Sequence, residues 1–187
     1  MIKIDKMSGL VKSTPFHPSP HCDERPSSEI DLIVIHAISL PPKEFGMQNI
    51  DLFFLGKLDP KAHPYFQTIS HLKVSSHIVI GREGEMIQYV PFTKRAWHAG
   101  QSKFQNRLNC NDFSIGIELV GADDVAYEEK QYQTLAKLIF QLQNVYQIEK
   151  THLVGHEDIA PGRKTDPGSA FSWDFLHRLL KYEKPSC

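Results

Sequence analysis

The sequence predicts one α/β domain, in which helices flank a central mixed β-sheet. Three observations indicate this fold class. The chain has 187 residues, the usual size of a single domain. Short, β-branched apolar runs alternate with segments whose apolar residues recur at helical spacing. Two of the short runs flank a charged turn that contains glycine, which predicts an antiparallel hairpin within the sheet.

We predict that residues 1–29 form an N-terminal arm and that residues 30–187 form the domain. Residues 13–28 are rich in proline, which is typical of an extended segment. The run from Asp31 to His36 is short and almost wholly apolar. It therefore predicts a first strand that is buried on both faces of the sheet.

Residues 43–76 predict a long loop with one short helix at 49–55. A connection of this length inside a compact domain is usually functional or disordered. The apolar runs 77–80 and 86–90 lie on either side of the charged turn at 82–85 and predict the hairpin.

The second half of the chain predicts two more strands and two helices. Residues 113–119 alternate with period two, and a shorter apolar run lies near 153–154. Residues 128–146 carry apolar side chains at helical spacing behind an acidic first turn. A last helix is expected from Ser172, a suitable N-cap residue, to Tyr182.

The composition is that of an ordinary folded domain, with 41% hydrophobic and 23% charged residues. Twenty-one basic and 22 acidic residues leave a formal charge of -1, so we expect no nucleic-acid partner. No apolar stretch approaches the ~18 residues of a membrane span, and charges interrupt the first apolar residues. We therefore expect a cytoplasmic protein without membrane contact.

The three cysteines, Cys22, Cys110 and Cys187, are an odd number without C-x-x-C spacing. This pattern argues against a disulfide framework and against a cysteine-rich zinc site. We expect free thiols in a reducing compartment.

Histidines and carboxylates are the remaining candidates for a metal site. His156-Glu157 lacks the second histidine of an H-E-x-x-H helix, so a site would have to combine separate segments. His36 ends a predicted strand, His156 follows another, and Asp166 lies in a loop. Spacing alone leaves an alternative open, in which His36 is hydrogen-bonded at the end of the sheet and Asp166 caps a turn.

Five segments together resemble one family, the zinc-dependent N-acetylmuramoyl-L-alanine amidases, and within it the cytoplasmic type that cleaves 1,6-anhydro-muropeptides. They occur in order over nearly the whole chain. The matching segments are residues 34–42, 59–66, 95–100, 110–119 and 155–168.

The resemblance implies a function for five residues. His36, His156 and Asp166 would bind one zinc ion per chain, Glu118 would be the acid/base residue, and Lys164 would be a second catalytic residue. It also implies the mixed sheet and flanking helices of the amidase type 2 and peptidoglycan recognition protein-like fold.

The residues themselves agree with this assignment of Glu118. Period two places Glu118 on one face of its strand with Ser114 and Gly116, whose small side chains leave room for a substrate. The other face is predicted to carry Phe113, Ile115, Ile117 and Leu119. A structural Glu118, paired with Lys164 or Arg95, is the alternative that the pattern leaves open.

The substrate-binding candidates are Tyr65, Lys73, Trp97, His98 and Arg107. Tyr65, Trp97 and His98 could form an aromatic wall for a sugar, or they could be ordinary core aromatics. Lys73 and Arg107 are basic residues that could face the stem peptide.

Three positions depart from the family pattern. Ala37 stands where an asparagine commonly follows the first ligand, Lys73 where arginine is usual, and Asn109 where arginine often precedes the Cys-Asn-Asp-Phe-Ser run. In the family these positions lie near the bound peptide. Arg107 is a candidate for the missing cation.

The implied reaction is hydrolysis of the amide bond between N-acetylmuramic or 1,6-anhydro-muramic acid and L-alanine, in peptidoglycan recycling. The expected partner is a small muropeptide, without an obligate protein partner. Two alternatives are a non-catalytic peptidoglycan-binding protein and a secreted autolysin. Loss of a ligand would mark the first, and all three ligand positions here carry zinc-binding residue types.

Overall fold

A five-stranded mixed sheet lies at the centre of the protein in a computed structural model, which describes residues 2–183. Cys187 lies outside these residues. The strands are β1 (Ile4–Asp5), β2 (Leu10–Val11), β3 (Cys22–Glu24), β4 (Leu32–Ile38), β5 (Ile78–Ile80), β6 (Met86–Gln88), β7 (Lys94–Ala96), β8 (Lys103–Phe104), β9 (Arg107–Leu108), β10 (Ser114–Val120) and β11 (Leu153–Gly155). The α-helices are α1 (Met47–Phe54), α2 (Pro64–Ile69), α3 (Glu129–Tyr146), α4 (His156–Ile159) and α5 (Trp173–Tyr182).

The strand order in the central sheet is β11-β4-β10-β5-β6. β10 pairs in parallel with β4 and β5, β4 pairs in parallel with β11, and β5 and β6 form the predicted antiparallel hairpin. This arrangement confirms the predicted fold class. Glu118 lies opposite His36 in the parallel register of β10 and β4. Both side chains therefore leave the same face of the sheet near the carboxyl ends of the strands.

The other face of β10 packs against α3. Ile115, Ile117 and Leu119 are fully buried in one apolar cluster with Leu135 and Leu138 of α3. Burial of each such aliphatic side chain contributes about 1.5–3 kcal/mol to folding. The packed face of β10 thus anchors the strand, so that its other face can carry the polar residues of a site.

Phe113 corrects one prediction, because it does not share the face of Ile115. A 3₁₀-helix at Cys110–Asp112 ends at Phe113, and the strand begins only at Ser114. The alternation of a strand therefore does not apply to Phe113, which packs in a separate buried cluster that includes Val34.

Residues 43–76 contain one helix more than the sequence predicts. α1 corresponds to the expected helix at 49–55, whereas α2 was not expected. Pro64 starts α2, and the His63 ring accepts a hydrogen bond from the Tyr65 backbone N–H at 3.1 Å. Six residues are too few to display a helical period in the sequence.

The N-terminal residues pack against the domain. β1 and β2 form a small antiparallel pair, and β3 pairs antiparallel with β7. Gly9 has a φ of +69°, and a Cβ there would lie 2.7 Å or less from the backbone nitrogens of Phe92 and Thr93. The division between residues 1–29 and 30–187 stays a prediction.

Within residues 2–183, no helix combines the length and the apolar character needed to cross a bilayer.

We expect the packing of β10 on α3 to dominate stability. Ile117→Ala should lower the free energy of unfolding by about 2–5 kcal/mol, because it leaves a cavity in a fully buried site. Urea denaturation measures this loss. Met7→Ala is the control, since Met7 is 94% exposed. An Ile117→Ala protein as stable as this control would contradict the packing described here.

Candidate functional site

A cleft of about 500 Å³ opens at the carboxyl ends of the parallel strands. β4 contributes His36, β10 contributes Glu118, and α4 begins with His156 immediately after β11. Asp166 enters from the following loop, and Lys164 of the same loop also lines the cleft. The structure therefore brings together all five residues that the sequence predicts as ligands or catalytic groups.

His36, His156 and Asp166 form a nearly equilateral triangle of donor atoms. His36 Nδ1 lies 3.0 Å from His156 Nδ1 and 3.2 Å from Asp166 Oδ2, and His156 Nδ1 lies 3.1 Å from Asp166 Oδ2. Ligands bonded to a tetrahedral zinc ion at ~2.0–2.1 Å are about 3.3 Å apart. The triangle therefore has the dimensions of one face of such a coordination shell.

The hydrogen bonds of His156 indicate that a cation belongs in this triangle. His156 Nε2 lies 3.1 Å from the carbonyl oxygen of Ala99, which can only accept, so Nε2 carries the proton of the neutral ring. His156 Nδ1 then directs a lone pair at the Asp166 carboxylate. Two acceptors at this distance repel each other unless a proton or a metal ion lies between them, and neutral imidazoles with a carboxylate are a suitable ligand set for a metal ion.

His98 holds His36 from behind. His98 Nδ1 lies 2.9 Å from His36 Nε2, and His98 Nε2 lies 3.1 Å from Ser114 Oγ. A chain of donors from His36 Nε2 through His98 to Ser114 leaves His36 Nδ1 free to face the triangle. A Cβ on Gly116 would lie 2.4 Å from the His98 ring, so glycine provides the space. His98 borders the cleft, but both of its nitrogens contact protein side chains.

Burial controls the charge of these groups. Burial raises the pKa of Glu118 well above its ordinary value, the charge of Asp166 raises it further, and Lys164 partly offsets both effects. Burial lowers the pKa of His36 to about 4, although the neighbouring carboxylate of Asp166 opposes the change. Burial likewise lowers the pKa of His98 well below the ordinary histidine range. His36 and His98 are therefore neutral at neutral pH.

The Glu118 carboxylate has an oxygen that can accept a proton. Its Oε2 is buried and has no hydrogen-bond partner within the described part of the chain. Arg95 is not a structural counterion for Glu118, because it pairs with Asp23 and Asp112. Lys164 is close enough to influence the pKa of Glu118 and also lines the open cleft.

The loop that carries Lys164 and Asp166 is fixed by its neighbours. Arg163 donates to the carbonyl oxygens of Ala99 and Gln101 at 2.6 and 2.7 Å. Sequence reasoning missed this role of Arg163. It also missed Asn111, whose side-chain oxygen accepts hydrogen bonds from the backbone N–H groups of His98 and Ala99. Asn111 lies in the matching segment 110–119, but the sequence alone gives its side chain no partner.

The substrate-binding candidates divide between the cleft and the surface. Tyr65, Trp97 and Ala37 line the cleft. Lys73 is exposed and lies between two residues that line the cleft, Leu72 and Val74.

Arg107 lies outside the cleft. It pairs with Asp31 and Glu29, and its guanidinium lies 3.6 Å from the centre of the Phe113 ring. Because Arg107 is paired with these carboxylates and lies away from the cleft, it does not replace a cation at the peptide side. Asn109, which precedes the 3₁₀-helix, has a φ of 59° and also lies outside the cleft lining.

Comparisons with known proteins show the family of this chain. The family model described as N-acetylmuramoyl-L-alanine amidase matches residues 26–169. The 1,6-anhydro-N-acetylmuramyl-L-alanine amidase AmpD of Escherichia coli is 57% identical over 167 residues, which cover 89% of this chain and 91% of that protein. AmpD of Haemophilus influenzae is 49% identical over 172 residues, 91% of this chain and 94% of that protein.

Solved structures of AmpD and AmiD are among those similar to this chain. A crystal structure of a selenomethionine derivative of AmpD superposes with a TM-score of 0.91 at 51% identity and covers 95% of this chain and 99% of its own. The amidase AmiD of E. coli, in complex with anhydro-N-acetylmuramic acid-L-Ala-D-gamma-Glu-L-Lys, gives a TM-score of 0.61 at 30% identity. It covers 80% of this chain and 57% of its own.

The raised pKa of Glu118 predicts a pH-dependent cost to stability. Above the ordinary glutamate pKa of ~4.3 the unfolded chain releases this proton more readily than the folded protein does, so stability falls as pH rises toward the folded-state pKa. With metal removed by a chelator, Glu118→Gln should be more stable than wild type near pH 8, and the difference should shrink toward pH 5. Urea denaturation across this range measures it.

Glu44→Gln is the control for this measurement, because Glu44 is exposed. It should show no such pH-dependent difference. A Glu118→Gln protein whose stability follows wild type at every pH would mean that Glu118 ionises freely in the folded state.

Proposed function

This chain belongs to the N-acetylmuramoyl-L-alanine amidase family, and from that premise we propose that its cleft performs the hydrolysis with a zinc ion bound by His36, His156 and Asp166. The reaction is cleavage of the amide bond between N-acetylmuramic acid and L-alanine, in peptidoglycan recycling. The main support for placing the reaction in this cleft is the triangle of ligand atoms from His36, His156 and Asp166. It lies beside the buried carboxylate of Glu118.

The three ligands suit zinc, since catalytic zinc sites commonly have three nitrogen or oxygen ligands from the protein and one open position. When bound, zinc supplies Lewis acidity that lowers the pKa of a coordinated water toward ~7 and polarises the scissile carbonyl. His98 and the Ala99 carbonyl keep the two imidazoles in the tautomer that this binding requires.

Glu118 moves the protons of the reaction. A buried carboxylate with a raised pKa and an unpaired oxygen can accept a proton from the attacking water and then hold it. The same group delivers this proton to the amine of L-alanine as the amide bond breaks. The proximity of Asp166 helps Glu118 to retain the proton, because two negative charges in one cleft repel each other.

Lys164 stabilises the negative charge that develops on the carbonyl oxygen. Its ammonium group shares the cleft with Glu118 and Asp166, and its loop is fixed by the contacts of Arg163. A positioned cation acts most strongly once this oxygen becomes an oxyanion. Lys164 therefore contributes more to turnover than to substrate affinity.

The residues that line the cleft support binding of a sugar-containing substrate. Tyr65 and Trp97, together with Phe53, Phe54 and Leu72, contribute aromatic and apolar groups to the cleft lining, and such groups suit a sugar ring. We infer that a 1,6-anhydro-muropeptide is the preferred substrate, since the two AmpD relatives described above are named for this activity. We do not assign His98 to sugar binding, because its ring nitrogens contact His36 and Ser114.

We also propose that the protein acts in the cytoplasm. Cys22 and Cys110 are free thiols, which fits a reducing compartment. A secreted autolysin would act on the polymerised wall, and the assay below distinguishes the two activities.

The proposed function is tested by the products formed from purified anhydro-muropeptide and from intact sacculi. Wild type should release the stem peptide, with L-alanine at its amino end, faster from the soluble fragment at matched bond concentration. Glu118→Ala should reduce this turnover by roughly 10²–10⁴-fold, because proton transfer is lost. Mass spectrometry identifies the products.

Glu149→Ala, which removes an exposed carboxylate, is the matched control and should keep wild-type turnover. Near wild-type cleavage by Glu118→Ala would refute its role. Faster release from sacculi would favour the autolysin.

Metal binding should depend on His156. We expect wild type to retain one zinc ion per chain after dialysis at neutral pH and His156→Ala to lose it, because the variant keeps only two of the three ligands. Elemental analysis of the dialysed proteins measures the metal content. His71→Ala, which removes an exposed histidine, should retain zinc. Stoichiometric zinc in His156→Ala would show that the ligand assignment is wrong.

Replacement of Lys164 should separate turnover from affinity. Lys164→Ala should lower kcat by roughly 10²–10³-fold with little change in KM, as expected for a group that acts on the oxyanion. Steady-state kinetics on the anhydro-muropeptide measure both constants, with Lys137→Ala as an exposed lysine control. A raised KM with unchanged kcat would instead make Lys164 a substrate-binding residue.

A further inference from the structure

The N-terminal strand β3 touches the wall of the cleft. It pairs with β7, and the Cα partner of Asp23 is Arg95, two residues before Trp97. The indole N–H of Trp97 donates a hydrogen bond to Asp23 Oδ1 at 3.1 Å. Trp97 therefore connects the arm to the cleft, although Asp23 precedes the residues matched by the family model.

Asp23 is itself held firmly. Arg95 Nε donates to Asp23 Oδ1 at 2.7 Å and Arg95 Nη2 donates to Asp23 Oδ2 at 2.5 Å, a two-point contact. Arg95 Nη1 donates to Asp112 at 2.6 Å. The hydrogen bond from Arg95 lowers the pKa of Asp23, which keeps this carboxylate charged. The acceptor of the Trp97 N–H is thus fixed in position and ionised.

A second residue of the arm contacts Trp97. The imidazole of His21 stacks on the indole, with ring centroids 6.2 Å apart and ring planes within 16° of parallel. His21 Nδ1 is in turn 3.1 Å from the carbonyl oxygen of Val74, a residue of the cleft lining. His21 and Asp23 therefore limit the rotation of the indole from two sides.

These contacts determine what Trp97 can offer a ligand. The indole N–H is the only donor of this side chain and is bonded to Asp23, so the part of the ring that lines the cleft is apolar. An apolar aromatic surface suits the C–H groups of a sugar ring better than its hydroxyls. Rotation of the indole would place a donor in the cleft and remove this surface.

We propose that Asp23 and His21 are positioning residues, which fix the Trp97 indole so that the cleft receives an apolar ring for the sugar of the substrate. This inference rests on the proposed function, in which Trp97 contacts the sugar. It adds the arm to the substrate-binding apparatus, since the two residues act through Trp97 and do not line the cleft themselves.

The experiment removes the Asp23 carboxylate and measures both the fluorescence of Trp97 and the kinetic constants of the enzyme. In a Trp173→Phe background Trp97 is the remaining tryptophan, so its emission and its quenching by acrylamide report on this ring alone. Asp23→Ala should increase quenching and raise KM for the anhydro-muropeptide about tenfold, with kcat within about twofold, because a hydrogen bond to a charged group is lost while the metal ligands are untouched.

Matched variants separate positioning from general stability. Glu24→Ala removes the next carboxylate on β3, which pairs with Lys94 and not with Trp97, and should leave quenching and KM unchanged. Asp23→Asn retains an acceptor oxygen and should restore most of the affinity. This variant also tests the proposal if Asp23→Ala does not fold. In a Trp97→Phe protein, which has no indole N–H, Asp23→Asn and Asp23→Ala should cause no further rise in KM.

Unchanged quenching of Trp97 in Asp23→Ala would overturn the proposal, as would a KM increase of equal size in the Trp97→Phe background. A fall in kcat at constant KM would also overturn it. Absence of amide cleavage by the parent protein would be a failure of the proposed function, whereas the quenching measurement would still report whether Asp23 holds the indole.

Discussion

The mutual repulsion of three acceptor groups is the constraint on which the candidate site depends. His36 Nδ1, His156 Nδ1 and Asp166 Oδ2 lie 3.0–3.2 Å apart, and the Ala99 carbonyl fixes the His156 ring so that a lone pair faces the carboxylate. A metal ion converts this repulsion into attraction. The rest of the fold must hold these three groups together against their repulsion when no metal ion is bound.

The parallel sheet provides most of that structure. The register of β4 and β10 places His36 opposite Glu118, and β11 delivers His156 to the same edge. The packing of β10 against α3 anchors the strand from the opposite face, while Gly116 leaves room for the His98 ring behind His36. The proposed metal ligands and Glu118 therefore share one rigid support, as catalysis by positioned groups requires.

The sequence predicts the regular parts of this fold well, because they follow from local periodicity. The strand predicted at 113–119 is shifted by one residue at each end, and the helix predicted at 128–146 begins one residue later than predicted. The helix Pro64–Ile69 and the contacts of Arg107 could not be predicted in this way, because one is shorter than two helical turns and the other depends on long-range partners. The ligands came from the family resemblance, whereas the role of His98 required the distances between side chains.

The most direct test of the account is X-ray absorption at the zinc edge of the metal-loaded wild-type protein. Coordination by His36, His156 and Asp166 predicts nitrogen and oxygen neighbours at ~2.0–2.1 Å, with the outer-shell scattering of two imidazole rings. A sulfur neighbour at ~2.3 Å, or the scattering of a single imidazole, would contradict a centre made by His36, His156 and Asp166.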